Sequence, residues 1–246
     1  MDRKLQLEQW LKTVLAEKEF TISTVSADAS FRRYFRVHLQ GENLIAMDAP
    51  PKQESCAPFV EVAKLFSDCG LNVPQVIHQD LAQGFLLLSD LGDDTYLSHL
   101  NTDTAQQLYT DATNALIKLQ LSSKVGVLPP YDEELLMREM QLFSDWYIGK
   151  HLKVTLDNEQ QAVLDITFKT LTKNILSQGQ VYVHRDYHSR NLMLCKNNPG
   201  ILDFQDAVYG AITYDLVSLL KDAYIGWEEA EMMDWAVRYW DPAKKA

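Results

Sequence analysis

Eight consecutive residues, His184-Arg185-Asp186-Tyr187-His188-Ser189-Arg190-Asn191, form the most informative stretch of the chain. Apolar, strand-like segments flank them: Val181-Tyr182-Val183 before and Leu192-Met193-Leu194 after. Twelve residues past Asn191 comes Asp203, at the end of the short run Gly200-Ile201-Leu202. The pattern H-R-D, four residues, then Asn arises by chance in on the order of one chain in a thousand of this length. Asp186 has the chemistry to accept a hydroxyl proton and orient the oxygen for attack. Asn191 offers a neutral oxygen and Asp203 an anionic one, hard donors that suit Mg2+ alongside phosphate oxygens and water. These are the parts that phosphoryl transfer to a hydroxyl requires.

The surrounding periodicities indicate what must position these groups. Residues 2–18 carry an approximate helical stripe of Leu5, Leu7, Trp10, Leu11, Val14 and Leu15. Alternation over 31–48 around Gly41-Glu42-Asn43 predicts a hairpin that Pro50-Pro51 ends. A helix through Phe59–Phe66 stops near Gly70, and Val76-Ile77 and Phe85–Leu88 read as two further strands. Past Leu91-Gly92 long helical segments dominate, at about 102–121, 131–149 and 157–177, then 213–224 and 227–240. The reading is an α+β chain of two lobes. A small antiparallel-sheet lobe over 1–90 would bind nucleotide, and a larger, mainly helical lobe over 91–246 would hold the catalytic loop and the acceptor. A cleft between unequal lobes is a favoured ligand site.

Composition narrows the class. Apolar residues make up 46% and charged residues 23% of 246, which suits a globular chain with a substantial core. No apolar run reaches the ~20 residues of a membrane helix, and the charged N-terminus does not read as a secretory signal. Three cysteines without metal-ligand spacing read as reduced cytoplasmic thiols. The net charge of −11 opposes general nucleic-acid binding, which needs surplus Lys and Arg. The acidity lies mainly beyond residue 90, where 14 basic residues face 22 acidic ones. A small-molecule enzyme is the expected class.

Five stretches together carry a family resemblance: Asp28–Arg36, Met47–Pro51, Gly84–Gly92, His184–Asn191 and Asp203–Ala207. Over nearly its whole length the chain resembles the aminoglycoside phosphotransferase and choline kinase branch of the protein-kinase-like fold. Within that branch it is most similar to the bacterial anomeric kinases of N-acetylmuramate and N-acetylglucosamine. The resemblance implies Mg2+ and ATP as cofactors, transfer to the C1 hydroxyl of an amino sugar, and a role in recovering cell-wall sugars. It implies Asp186 as catalytic base and Asn191 and Asp203 as metal ligands. It also implies adenine pairing with the backbone of Ser89, Asp90 and Leu91, beside an apolar wall from Leu87 and its neighbours.

Other positions carry two readings each. Ser26–Ser30 stands where a phosphate-covering loop belongs but has no glycine. Ser30, with Arg32 and Arg33, is expected to contact phosphate, and the alternative is a solvated turn. The second hairpin strand, Leu44-Ile45-Ala46-Met47, lacks the lysine that usually holds the α- and β-phosphates. Arg32, Arg33, Arg36 and Lys52 are the cations available to replace it, and Glu54 or Glu61 could pair with one. Tyr187, Arg190 and Asp206 are candidates for acceptor contact; Arg190 could equally pair with a carboxylate, and Asp206 could cap a loop. Asp215, at the start of an apolar helix, reads as a structural cap that supports the catalytic loop. Tyr131, Trp146, Tyr147, Tyr224 and Trp227 could offer a sugar-stacking face or simply core.

The resembling family continues for several helices past the equivalent of Tyr239–Ala246, so a shortened acceptor side is expected. Two alternatives to the amino-sugar reading stay open. One is a kinase of another small alcohol, such as an aminoglycoside or a choline-like acceptor. The other is a catalytically weak nucleotide-binding regulatory protein.

Overall fold

The computed structural model describes residues 2–26 and 31–245. Five strands form an antiparallel sheet in the order β1-β2-β3-β5-β4: β1 Thr21–Ser26, β2 Arg33–Leu39, β3 Glu42–Asp48, β4 Val76–Asp80 and β5 Phe85–Ser89. Strand alternation gives the sheet two apolar faces. Phe35, Val37, Leu44, Ala46, Phe85 and Leu87 meet Leu7, Leu11 and Leu15 from helix α1 (Arg3–Val14) and its C-terminal edge. Met47, Leu86 and Leu88 take the opposite side and join Phe59, Val62, Ala63 and Phe66 of helix α2 (Ala57–Asp68). Both faces of β5 are covered, which accounts for the unbroken run Phe85-Leu86-Leu87-Leu88.

Buried charge fastens α1 to the sheet. The carboxylate of Asp48 is fully buried and accepts from Arg3 of α1 and Arg33 of β2. The Arg3 guanidinium also lies 4.5 Å over the Phe85 ring. Gly84 sits at φ +74°, and a Cβ there would come within 1.9 Å of the Ala49 carbonyl. Glycine is therefore required where the β4–β5 turn presses on the end of β3.

The second α2-facing core continues into the helical part: α3 Tyr96–His99, α4 Ala105–Leu121, α5 Glu133–Leu142, α6 Asn158–Leu176, α7 Tyr214–Leu220 and α8 Glu229–Lys245. Phe143–His151 extends α5 as a π-helical segment. Between α6 and α7 run four short strands: β6 Gln180–Val183, β7 Leu192–Met193, β8 Gly200–Ile201 and β9 Val208–Ala211. β6 pairs with β9 and β7 with β8. Trp235 of α8 packs 4.4 Å from Tyr109 of α4, ring centre to ring centre. Among the described residues, no helix is long and apolar enough to cross a membrane.

The architecture is the expected α+β arrangement with local differences. β1 is a mostly polar edge strand that the apolar pattern did not reveal. The helix expected over 131–149 begins at Glu133 and changes to π-helix at Phe143. β9 supplies a partner for β6 that had not been anticipated.

Candidate active site

The β7–β8 hairpin explains the twelve-residue interval between Asn191 and Asp203. Leu192 pairs with Ile201 and Met193 with Gly200, so the residues just outside the ladder come side by side. The Leu202 N–H donates to the Asn191 carbonyl at 2.9 Å. The Asn191 side-chain amide donates to the Asp186 carbonyl at 3.0 Å and lies 3.5 Å from the Asp203 carboxylate. Two carboxylates and one amide from three chain positions thus converge on one edge of the hairpin.

The loop that carries Asp186 is fixed from beneath. β6 delivers the chain to His184, which is fully buried. His184 Nε2 donates to the Leu202 carbonyl at 2.9 Å, and Nδ1 accepts from the Asp186 N–H at 3.2 Å. That pattern requires the neutral ring, and burial pushes its pKa down to about 4. Asp215, buried in the first turn of α7, accepts from the backbone N–H groups of His184 at 2.6 Å and Arg185 at 3.0 Å. It caps the loop's backbone and not its own helix. Arg185 at φ +79° and Asp203 at φ +61° occupy the left-handed region, which side chains other than glycine enter at a cost of about 1–3 kcal/mol.

Asp186 is exposed to solvent. Loss of solvation at its carboxyl, then the neighbouring Asp203 carboxylate, raises its pKa above the ordinary value. This favours proton uptake. Gln205 is buried, and its amide nitrogen donates to Asp203 at 2.8 Å and Asp206 at 3.2 Å. Phe204 packs on Phe59 and Phe66 of α2, at 4.9 and 5.7 Å between ring centres. The segment that bears Asp203 is thereby keyed to the sheet's helix. Among the described residues, no cluster of three His, Cys, Asp or Glu side chains could hold a metal alone. Asn191, Asp203 and the adjacent Asp206 nevertheless fit Mg2+, which uses one or two carboxylates and takes further oxygens from phosphate and water.

The remaining expected residues divide. Tyr187 turns into the core: it is fully buried, and its hydroxyl donates to the Ala112 carbonyl at 2.8 Å. Leu87 faces α1, so the apolar wall on the α2 side falls to Leu86 and Leu88. Ser89 is joined to Gln75 by its N–H at 3.0 Å and by its hydroxyl, which accepts at 2.8 Å. The Asp90 carboxylate receives Arg36 of β2 at 2.5 Å and the Gly92 N–H at 2.8 Å. The Leu91 side chain reaches over Gly200, where an added Cβ would lie 3.0 Å from its Cδ1. Arg32 pairs with Glu54, just ahead of α2, while Arg33 is taken by Asp48. Ser30 lies outside the described residues. Asp206 and Arg190 are both exposed near the loop. The Arg190 guanidinium lies 4.8 Å over the Tyr224 ring.

Two supporting acids were missed by the sequence reading. Glu139 of α5 pairs with Arg185 and accepts from Tyr131, whose hydroxyl is pushed well up, first by burial. Asp222 accepts from the Ser189 N–H at 2.8 Å. Neither acid has a local motif; each acts across tens of residues.

The profile of the phosphotransferase enzyme family matches residues 21–245. The chain belongs to that family. It is 46% identical to an N-acetylmuramate/N-acetylglucosamine kinase of Neisseria meningitidis over all of this chain and 75% of that protein. It is 47% identical to the Pseudomonas aeruginosa kinase of the same name, over 97% of this chain and 73% of the relative. Among solved structures it resembles a GDP complex of aminoglycoside 2'-phosphotransferase-IIIa, with a TM-score of 0.71, 14% identity and coverage of 97% and 83% of the two chains. A choline kinase of Streptococcus pneumoniae superposes with a TM-score of 0.64 at 10% identity, covering 98% and 90%. At such identities the phosphotransferase shares the fold with these neighbours. The protein-kinase-like α+β fold and the family expected from the motifs are those found.

Proposed function

We propose that this phosphotransferase transfers the γ-phosphoryl group of ATP to the C1 hydroxyl of N-acetylmuramate or N-acetylglucosamine. The observation that carries the reading is the convergence of Asp186, Asn191 and Asp203 at the end of the β7–β8 hairpin. The amino-sugar class is supported by the two relatives, at 46% and 47% identity, that bear that name.

Asp186 takes the proton of the sugar hydroxyl as its oxygen attacks the γ-phosphorus and ADP departs. Its raised basicity assists that uptake. Asn191 and Asp203 would hold Mg2+, which supplies charge neutralisation to the phosphates when bound. Arg32, braced by Glu54, takes the place of the missing strand lysine at the phosphates, while Arg33 stays committed to Asp48. The backbone of Ser89, Asp90 and Leu91 receives adenine, with Leu86 and Leu88 as the apolar wall in place of Leu87. Asp206 and Arg190 border the acceptor. In this reading the lobes divide at residues 90 and 91. The enzyme works in the cytoplasm on sugars recovered from the cell wall, and needs neither nucleic acid nor membrane.

The test is Mg2+-dependent ATP consumption with N-acetylmuramate, N-acetylglucosamine, an aminoglycoside and choline, the product being identified by phosphorus NMR. A sugar 1-phosphate is the expected product. Turnover of the aminoglycoside or choline alone would replace the amino-sugar assignment.

A further inference from the structure

Most arginines of this chain already have an acid. Arg3 and Arg33 meet Asp48, Arg32 meets Glu54, Arg36 meets Asp90 and Asp93, Arg185 meets Glu139 and Arg238 meets Asp234. Among the described residues, only Arg138 and Arg190 lack a carboxylate partner. Arg190 belongs to the loop that carries Asp186 and directly precedes Asn191 in the chain.

Its position is built. The exposed guanidinium lies on the Tyr224 ring, and that ring meets His188 edge-on at 5.4 Å. Asp222 ties the two segments together. One of its oxygens accepts from the Tyr224 N–H at 2.9 Å, the other from the Ser189 N–H at 2.8 Å. The acid on this segment is thus committed to backbone and does not neutralise Arg190. In a chain of 34 acidic residues, a planar cation is kept uncompensated on the catalytic loop. A guanidinium held over an aromatic ring satisfies none of its N–H donors there and keeps them free for a carboxylate.

The two sugars of the proposed function differ in that group. N-acetylmuramate carries a carboxylate on its lactyl ether, and N-acetylglucosamine is neutral. We infer that Arg190, placed by Tyr224, is the carboxylate receptor of the acceptor site and sets the preference for the anionic sugar. The inference rests on the amino-sugar reading above. It assigns Arg190 to the acceptor and not to the transferring phosphate, which is common to both reactions.

The experiment compares kcat/KM for N-acetylmuramate, its methyl ester and N-acetylglucosamine in wild type, Arg190→Gln and Tyr224→Ala. For Arg190→Gln, the ratio of N-acetylmuramate to N-acetylglucosamine should fall by about tenfold or more, mainly through KM, the scale of a lost charge-assisted hydrogen bond. Wild type should lose a similar factor on passing from the acid to the ester, and Arg190→Gln should no longer separate the two. Tyr224→Ala should shift the ratio the same way by less. Ratios that stay at the wild-type value while both sugars are phosphorylated would overturn the inference and leave the amino-sugar reading standing. Absence of turnover of either sugar by wild type would overturn both. The ester comparison needs no variant, so a folding defect cannot mask the outcome.

Discussion

The buried carboxylate of Asp215 accepts the backbone N–H of His184 at 2.6 Å, and burial shifts the Asp215 carboxyl and the His184 imidazole in opposite directions. Burial pushes Asp215 up to about 7 from 3.8, so the native state binds that proton more tightly than the unfolded chain. Its contribution to stability therefore declines as pH rises from about 4 to about 7. Burial pushes His184 down to about 4 from 6.5, so its contribution is lost as pH falls through the same window. The slopes oppose. Asp215→Asn removes the first and should make the melting temperature rise more steeply with pH than in wild type. Thermal melts from pH 4 to 7.5 check this. Parallel curves for the two proteins would show that Asp215 does not titrate there.

Asp186→Asn should lower turnover by at least ~10²-fold, the scale of a lost general base. Nucleotide affinity should stay close to wild type, because the side chain touches no phosphate-holding group. Steady-state kinetics beside calorimetric ADP binding separate the two quantities. Parallel losses of turnover and affinity would point to a role in nucleotide binding instead.

Gln205 links the two acids of its segment through a single amide, while its own carbonyl oxygen is buried without a partner. Gln205→Met keeps the bulk and removes both groups. Removal of the unpaired acceptor relieves a desolvation cost that offsets the two donated hydrogen bonds lost, since the acceptors Asp203 and Asp206 are exposed to water. The melting temperature should hold within a few degrees. Mn2+-dependent ADP binding, followed by electron paramagnetic resonance, should weaken several-fold as Asp203 and Asp206 separate. Asp203→Ala should abolish that dependence.

Arg32→Ala should weaken ADP binding by about tenfold, the loss expected of a charge-assisted contact. Glu54→Gln keeps the hydrogen-bonding shape but not the charge, and should cause a smaller loss. Fluorescent-nucleotide titration measures both. An unchanged affinity in Arg32→Ala would move the phosphate-holding role to another cation.

Legibility followed the range of the interaction. Asp186, Asn191 and Asp203 were visible because a loop and one hairpin bring them together, so spacing encodes their geometry. The fold class was visible because the change from alternating to helical periodicity near Gly92 is also local. The parity of Leu87 was not, because four consecutive apolar residues covered on both faces leave no alternation to read. Tyr187 looked accessible from its place beside Asp186, yet the backbone turn there sends it into the core against Ala112. Glu139 lies 46 residues from Arg185, and only the packing of α5 reveals the pair. β1 was missed because Thr21–Ser26 is mostly polar. The stretch 143–149 read as a continuation of an ordinary α-helix, although the backbone from Phe143 to His151 is π-helical.

The β7–β8 hairpin separates distance along the chain from distance in the site. Asn191 and Asp203 meet because Leu192 faces Ile201, and the residues of the turn beyond Met193 play no part in that register. The turn can lengthen or shorten without moving either oxygen donor, provided the two pairs persist. The donors are thus held together by the paired positions beside them and not by the count of residues between them. A search for kindred chains that fixes the gap will lose members that one fixing the apolar pair beside each donor will keep.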